Sequence, residues 1–584
     1  MLSLVMPRPS RREDPCPNLL RTRHGSTAAV ALAALLLAAC GGSSDPAPGP
    51  CSSPAPALEP ACTGASCGAV GSTTYSGSGT GVWRFRNTTS CPVTLDFRLT
   101  GMSAGKQVLL LFSNGTAIPV DTLPSPGTLA SPPAPAPAAL RIESLPAAGP
   151  DDTGHDRWHE GLLRENRLLG LSLRSFAGPA ASADPRALTA ASSAPAALND
   201  PRDWRDNATT PAPTYATFAR AICNLPGGRR AVFWVDPHAE TAGSLTADDL
   251  AYFRTTVCGA AGDEANGGFA RVKALLGDVW GTVGPSIAGL LISDAPGLQD
   301  VNVVFLQVPI DPAKRKTWVG YFYGINNFLQ GAGPEFGSSN EALAFFIDAA
   351  QVHLRDTSRS YLGSALLHEL THMVNFYQRP VLRDVTNDTW LEETTATMVE
   401  DIVVPVATPD QTSIIPTERI RPYVGSGGGI SYTGWLYPEQ NSYALAGAFG
   451  AFVNRRYGTS ILSGTITCAT GGVACLDGLI RNAGGTGFAD EFARAGASLF
   501  GLFPATAIPE GYGYPTRVTG AYTLAAIDVS AYSTVRKGTA TALTLDFPGA
   551  SHTYKLDTVP AGGTAYARTG MVVPVGTSVH VVVR

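Results

Sequence analysis

The chain has 584 residues, of which 44% are hydrophobic and 15% charged, with a formal net charge of −5. That size allows about two to four domains with a sizeable core, and it excludes a chain disordered throughout. The charge leaves no polybasic footprint, so nucleic acid is not an expected partner.

Arg21 and Arg23 precede an apolar run from Ala28 to Leu37, and Leu37-Ala38-Ala39-Cys40-Gly41-Gly42 follows. Basic residues, an apolar stretch and small residues in that order predict a signal peptide over residues 1–39. The run is too short for the roughly 20 apolar residues that span a bilayer. Leu-Ala-Ala-Cys resembles a bacterial lipobox, which implies that Cys40 becomes the first mature residue and carries lipid. Gly41, in place of Asp, resembles the pattern that permits outer-membrane sorting. The expected location is therefore the bacterial cell envelope, lipid-anchored, or the exterior. With Cys16 and Cys40 set aside, Cys51, Cys62, Cys67, Cys91, Cys223, Cys258, Cys468 and Cys475 remain, an even set suited to disulfides in that compartment. Cys468 and Cys475 flank a short Gly-rich loop, and Cys223 with Cys258 would tie the front of the central domain.

Residues 40–72 read as a flexible tether rich in Ser, Pro, Ala and Gly. Short apolar runs such as Val82-Trp83-Arg84-Phe85 and Val108 to Phe112 predict a small β domain over 73–120. Residues 121–214 form a Pro/Ala-rich linker with a helical piece around His155 to Arg167, either an ordinary spacer or a propeptide junction. The central domain is expected over 215–503. Strands are expected at 231–235, 301–306, 321–323 and 344–347, and helices around 249–258 and 269–280. Residues 514–584, rich in Thr, Val and Gly, predict a C-terminal β-sandwich module.

His368-Glu369-Leu370-Thr371-His372 carries the chemistry. At about 3.6 residues per turn, side chains four apart share a face, so His368 and His372 can grip one cation. Glu369 lies about 100° further round, placed to act as general base on a water held by that cation. The flanking residues are apolar enough for a buried helix, where two His and a Glu would be costly without a purpose. A catalytic zinc takes three protein ligands and keeps a position open. Asn375 and Gln378 stand where one zincin subclass has Gly and a third His, so a downstream Glu is the expected third ligand. Residues 389–401 read as its helix, with Glu392 and Glu393 as candidates.

Trp390-Leu391-x-Glu393-x-x-Ala396 matches the third-ligand segment of Glu-type zincins, which favours Glu393 and leaves Glu392 as a solvent-facing neighbour. Glu400, or Asp401, could orient a ligand His. His-Glu-Leu-Thr-His-Met-Val-Asn-Phe at 368–376, Glu-Glu-Thr-Thr-Ala-Thr-Met-Val-Glu-Asp at 392–401, and Tyr-x-x-x-Gly-x-Phe-x-x-Phe-x-x-x-Arg-Tyr-Gly at 443–458 resemble the hyicolysin-type bacterial metallopeptidases. The resemblance implies an α+β zincin-like domain, one catalytic Zn2+ on His368, His372 and Glu393, and secreted endopeptidase activity on protein or peptide substrates. Zincins often stabilise the oxyanion with a Tyr or His beyond the third ligand. Tyr432, Tyr437 and Tyr443 lie in that stretch, and Tyr443 is favoured, with helix packing as its competing role. His238, His353, His552 and His580 are expected on the surface or in packing.

The expected function is zinc-dependent hydrolysis of peptide bonds in extracellular or periplasmic proteins, with Glu369 as base. The alternative is a surface-anchored binding lipoprotein that keeps a zincin scaffold and little activity. An intact Glu369 favours the enzyme.

Overall fold

The computed structural model describes residues 56–130, 155–176, 195–208, 211–295, 297–308, 318–353, 358–435, 439–533, 543–544 and 546–584. The expected signal peptide and Cys40 lie outside these residues. In chain order the first strands are β1 (Glu59–Pro60), β2 (Gly81–Arg86), β3 (Val93–Thr100), β4 (Gln107–Asn114) and β5 (Thr128–Leu129), followed by helix α1 (His155–Phe176). Then come β6 (Pro201–Arg205), β7 (Thr214–Asn224), β8 (Arg230–Val235), the helices α2 (Pro237–Thr241), α3 (Ala247–Cys258) and α4 (Gly268–Leu276), and the strands β9 (Val301–Leu306), β10 (Gly320–Phe322) and β11 (Leu343–Asp348).

These last six strands make one sheet in the order β10-β11-β9-β8-β7-β6. Its centre is parallel, with β9 between β8 and β11. Both β9 and β11 are buried at every position, which is why their sequences are near-continuous apolar runs without alternation. β10 closes one edge and pairs antiparallel with β11.

After the sheet the chain turns helical: α5 (Ser358–Phe376), a π-helical turn (Tyr377–Val381), α6 (Thr389–Ile402), α7 (Val404–Ala407), a second π-helical turn (Ile415–Ile420), α8 (Arg421–Ser426), α9 (Glu439–Tyr457), α10 (Thr459–Thr467), α11 (Gly472–Asn482) and α12 (Phe488–Phe500). α5 packs on β10 and β11 and against α6, and α6 packs in turn on α9. Asp249 completes the capping box of α3 with Thr246 and also accepts from Arg359 at the start of α5, so one buried carboxylate joins two helices. His353 reaches the same carboxylate at 3.0 Å.

The remaining strands are β12 (Arg517–Thr519), β13 (Tyr522–Leu524), β14 (Ser551–Thr558), β15 (Ala565–Val573) and β16 (Thr577–Val583). Here the fold departs from the expected separation into N- and C-terminal β modules. β16 lies between β2 and β4 in the sheet β1-β2-β16-β4-β14, and β15 lies between β3 and β5 in a second sheet. The physical reason is alternation. Val108, Leu110, Phe112, Val579, Val581 and Val583 face the space between the two sheets, while Leu109, Leu111 and Val582 join the main core on the opposite face. β16 is buried at every position, with β2 and β4 on either side. The stretch 121–214, expected as a linker, likewise supplies β5, α1, β6 and the start of β7.

The described residues form one compact unit. Disulfides join Cys62 with Cys67, Cys223 with Cys258 and Cys468 with Cys475. Cys91 is disulfide-bonded as well. Among the described residues, no helix is long and apolar enough to cross a membrane.

Candidate metal centre

The centre lies between α5 and α6. His368, Glu369 and His372 occupy consecutive turns of α5 and are buried, as is Glu393 on the first turns of α6. The His368 and His372 rings sit 4.8 Å apart, centroid to centroid. Glu393 reaches both: its Oε2 is 3.0 Å from His368 Nε2 and its Oε1 is 3.3 Å from His372 Nε2. One ligand atom from each of the three residues falls within 4.8 Å of the others.

The outward ring nitrogens are held from behind. His368 Nδ1 is 2.8 Å from Glu400 Oε1, and His372 Nδ1 is 3.3 Å from Glu392 Oε1. Glu400 follows Glu393 by seven residues, two turns along the same face of α6. Arg419, in the second π-helical turn, grips Glu400 through Nε at 3.0 Å and Nη2 at 2.9 Å. Such a bidentate pair fixes a carboxylate geometrically as well as electrostatically. Gly447 of α9 makes room for it, since a Cβ there would come within 2.5 Å of Arg419 Cγ.

These contacts set the charges. Burial would lower the His368 imidazole, but its hydrogen bonds to Glu393 and Glu400 overcome that and raise it to about 9. His372 moves upward in the same way, with Glu393 as the largest opposing influence to burial. Burial would raise Glu400, yet the Arg419 guanidinium brings it down to about 2. Glu393 lies well below the usual carboxylate range because His372 and His368 outweigh burial.

Over residues 210–584, well more than half of its length, the sequence matches the family model of peptidase M30. The chain belongs to the peptidase M30 family. This M30 chain is thus a metallopeptidase of the hyicolysin type, as its motifs suggested. Residues 60–125 match a domain model of unknown function. Comparison with curated proteins returns no match.

A metallopeptidase implies a metal, and the residues of this M30 chain fit one. His372 Nε2 and Glu393 Oε1 are buried and face each other at 3.3 Å without a well-formed hydrogen bond, a cost that a cation on those atoms would remove. Two imidazoles and one carboxylate are a usual donor set for a catalytic divalent ion. A divalent cation replacing two imidazolium protons also leaves the charge of the cluster unchanged.

Other expected residues sort by geometry. Tyr443 stands beside the centre, its ring 5.9 Å from that of His368 and 5.6 Å below the Arg419 guanidinium. Tyr432 does not: its hydroxyl bonds Thr394 at 2.7 Å within a cluster containing Trp390 and Phe488. Tyr437 lies outside the described residues. Asp401 bonds Arg455 and Asn454, joining α6 to α9. Gln378 donates to the Asp278 carbonyl at 2.8 Å. Glu392 is not simply a solvent-facing neighbour: its side chain is 19% exposed and it backs His372. The sequence reading missed Arg419 and its space-making partner Gly447, although that glycine was part of the 443–458 block.

Proposed function

We propose that this chain is a zinc-dependent endopeptidase with a zincin-like catalytic domain, acting on extracellular or periplasmic proteins. The observation that carries the proposal is the convergence of His368 Nε2, His372 Nε2 and Glu393 beside Glu369. His368, His372 and Glu393 would hold one zinc, which when bound supplies the Lewis acidity that lets a coordinated water lose a proton near neutral pH. Glu369 takes the proton of the attacking water and returns it to the departing amine. Tyr443 would donate to the oxyanion, a role supported by its ring beside His368. The outward edge of β10, against α5, would take an extended peptide through backbone bonds, which favours cleavage within chains and asks little of side chains. Export and a lipid on Cys40 belong to the same reading, supported by Leu-Ala-Ala-Cys and by the disulfides.

Casein hydrolysis and metal analysis of the purified mature chain test this. About one zinc per chain is expected, with activity lost to a chelator and restored by zinc. Glu369→Gln should lower turnover by roughly 10²–10⁴-fold while the metal stays bound. Unchanged turnover in that variant would remove Glu369 from the chemistry. A chain that binds zinc and cleaves nothing in any form, Asn166→Ala and Gly170→Leu included, would point to the binding lipoprotein instead.

A further inference from the structure

Building on the reading of β10 as the peptide-binding edge, we propose that α1 is an internal occupant of that edge and holds the intact chain latent. β10 is the terminal strand of its sheet, and in an antiparallel pair alternate residues turn their N–H and C=O groups away from the partner. Asp348 N–H donates to the Val319 carbonyl at 3.0 Å, and the register Gly320↔Ile347, Phe322↔Phe345 then turns Gly320 and Phe322 outward. Gly320 stands against the base, because a Cβ there would meet Glu369 Cγ at 3.3 Å. The outward edge thus starts beside Glu369 and runs on through Phe322 toward Gly324.

Two residues along, that edge is taken. Asn166 of α1 donates from Nδ2 to the Phe322 carbonyl at 2.9 Å, and its Oδ1 accepts from the Gly324 N–H at 2.7 Å. A carboxamide offers the donor and acceptor of a peptide unit, so Asn166 makes the bonds that the backbone of an added strand would make. Beside it, Tyr323 Oη donates to Glu165 at 2.7 Å.

The rest of α1 lies along the elements that carry the centre. Arg167 pairs at 2.7 Å with Asp388, the N-cap of α6, and Arg174 donates at 3.1 Å to the Val381 carbonyl in the turn after α5. Gly170 touches the same turn, where a Cβ would come within 2.8 Å of Thr386 and 3.0 Å of Pro380. The seating is firm at Leu162, Asn166, Gly170 and Leu173, which are buried, and looser at the positions between them. Arg167 and Asp388 are 42% and 39% exposed, so water and salt screen their pair, and Leu168 and Leu171 face outward.

Beneath α1 a cleft is lined by Asn166, Arg167, Phe322, Asn375, Asn387 and Glu392. Asn375 Oδ1 and both amide atoms of Asn387 are buried there with no hydrogen-bond partner among the described residues. Unpartnered buried amides are costly, and the polar side chain of a peptide entering in place of α1 would satisfy them. The residues matched to the family, 210–584, include β10, the ligands and Glu369 but not α1.

The test measures binding apart from hydrolysis. Fluorescein-labelled casein peptides are titrated onto the full chain carrying Glu369→Gln, alone and combined with Asn166→Ala or Gly170→Leu, with metal content recorded. Asn166→Ala removes the two edge bonds, and Gly170→Leu lifts α1 by steric contact. Both should tighten peptide binding by roughly tenfold or more at unchanged metal content, since a site blocked in most molecules binds with reduced apparent affinity. Unchanged or weaker binding in folded, metal-loaded variants overturns the proposal and makes α1 a fixed part of the scaffold. Hydrolysis by the chain with Glu369 intact is read separately. Tighter binding without hydrolysis in any form supports the occupant while refuting the peptidase reading, and hydrolysis with unchanged binding does the reverse.

Discussion

Two regions bury histidines, and they drive them in opposite directions. In the cleft between α5 and α6, carboxylates overcome burial and raise His368 to about 9. In the sheet packed on α12, burial without a carboxylate pushes His552 and His580 down to about 3. His552 stacks on Phe492 at 4.2 Å and bonds Ser113, while neither ring nitrogen of His580 has a hydrogen-bond partner among the described residues. Burial alone therefore does not mark a ligand. What marks one is acidic company on both ring nitrogens: the near side is shared with the prospective cation and the far side orients the ring.

The comparison breaks most readily at Glu393. Glu393→Gln would remove the carboxylate of the proposed ligand set and should reduce zinc affinity beyond the roughly 10–100-fold expected for a residue that merely orients a ligand, as measured by chelator competition. Next comes the orienting pair. Glu400→Gln should cost roughly 10–100-fold in zinc affinity, and Glu392→Gln should fall at the low end of that range because its contact is longer, 3.3 Å against 2.8 Å. A larger loss at Glu392 than at Glu393 would reverse the ligand assignment.

The smallest effect belongs to the sheet. A histidine whose folded pKa lies below its unfolded value of about 6.5 stabilises fully above that pH, and the contribution is lost as pH falls toward about 3. His368 in the metal-free chain works in the opposite sense: its contribution is full below about 6.5 and is lost as pH rises through about 9. Thermal melts of the metal-free protein should therefore show His552→Phe flattening the acid-side loss of stability, by at most about 1.4 kcal/mol per pH unit. An unaltered acid slope would mean that His552 is not held neutral by its surroundings.

Legibility followed the range of the interactions. The pair His368 and His372, and the seven-residue step from Glu393 to Glu400, are written in helical spacing and could be read locally. Arg419 could not, because it lies in a π-helical turn with no helical repeat to index it, and only the packing of α9 brings Gly447 against it. Neighbours on a helix point about 100° apart, so that Glu392 and Glu393 both reach histidines is a property of how α6 crosses α5. The α+β character and four of the six strands of the large sheet, β8 to β11, were visible as apolar runs, whereas β7 was not. The union of β2, β16 and β4 was hidden because each end of the chain carries plausible strands of its own, and the Thr, Ser and His of β16 give no sign that all seven of its positions are buried. The short β6, which begins at a proline on the sheet edge, left no alternation to set it apart from linker.

The central claim is that α5 and α6 together hold one cation for hydrolysis. Anomalous diffraction at the zinc edge, on crystals of the zinc-loaded chain, tests it most directly. The account predicts one peak about 2.0–2.2 Å from His368 Nε2, His372 Nε2 and a Glu393 carboxylate oxygen. A peak held by other residues, or none while these three side chains remain bonded to one another, would contradict it.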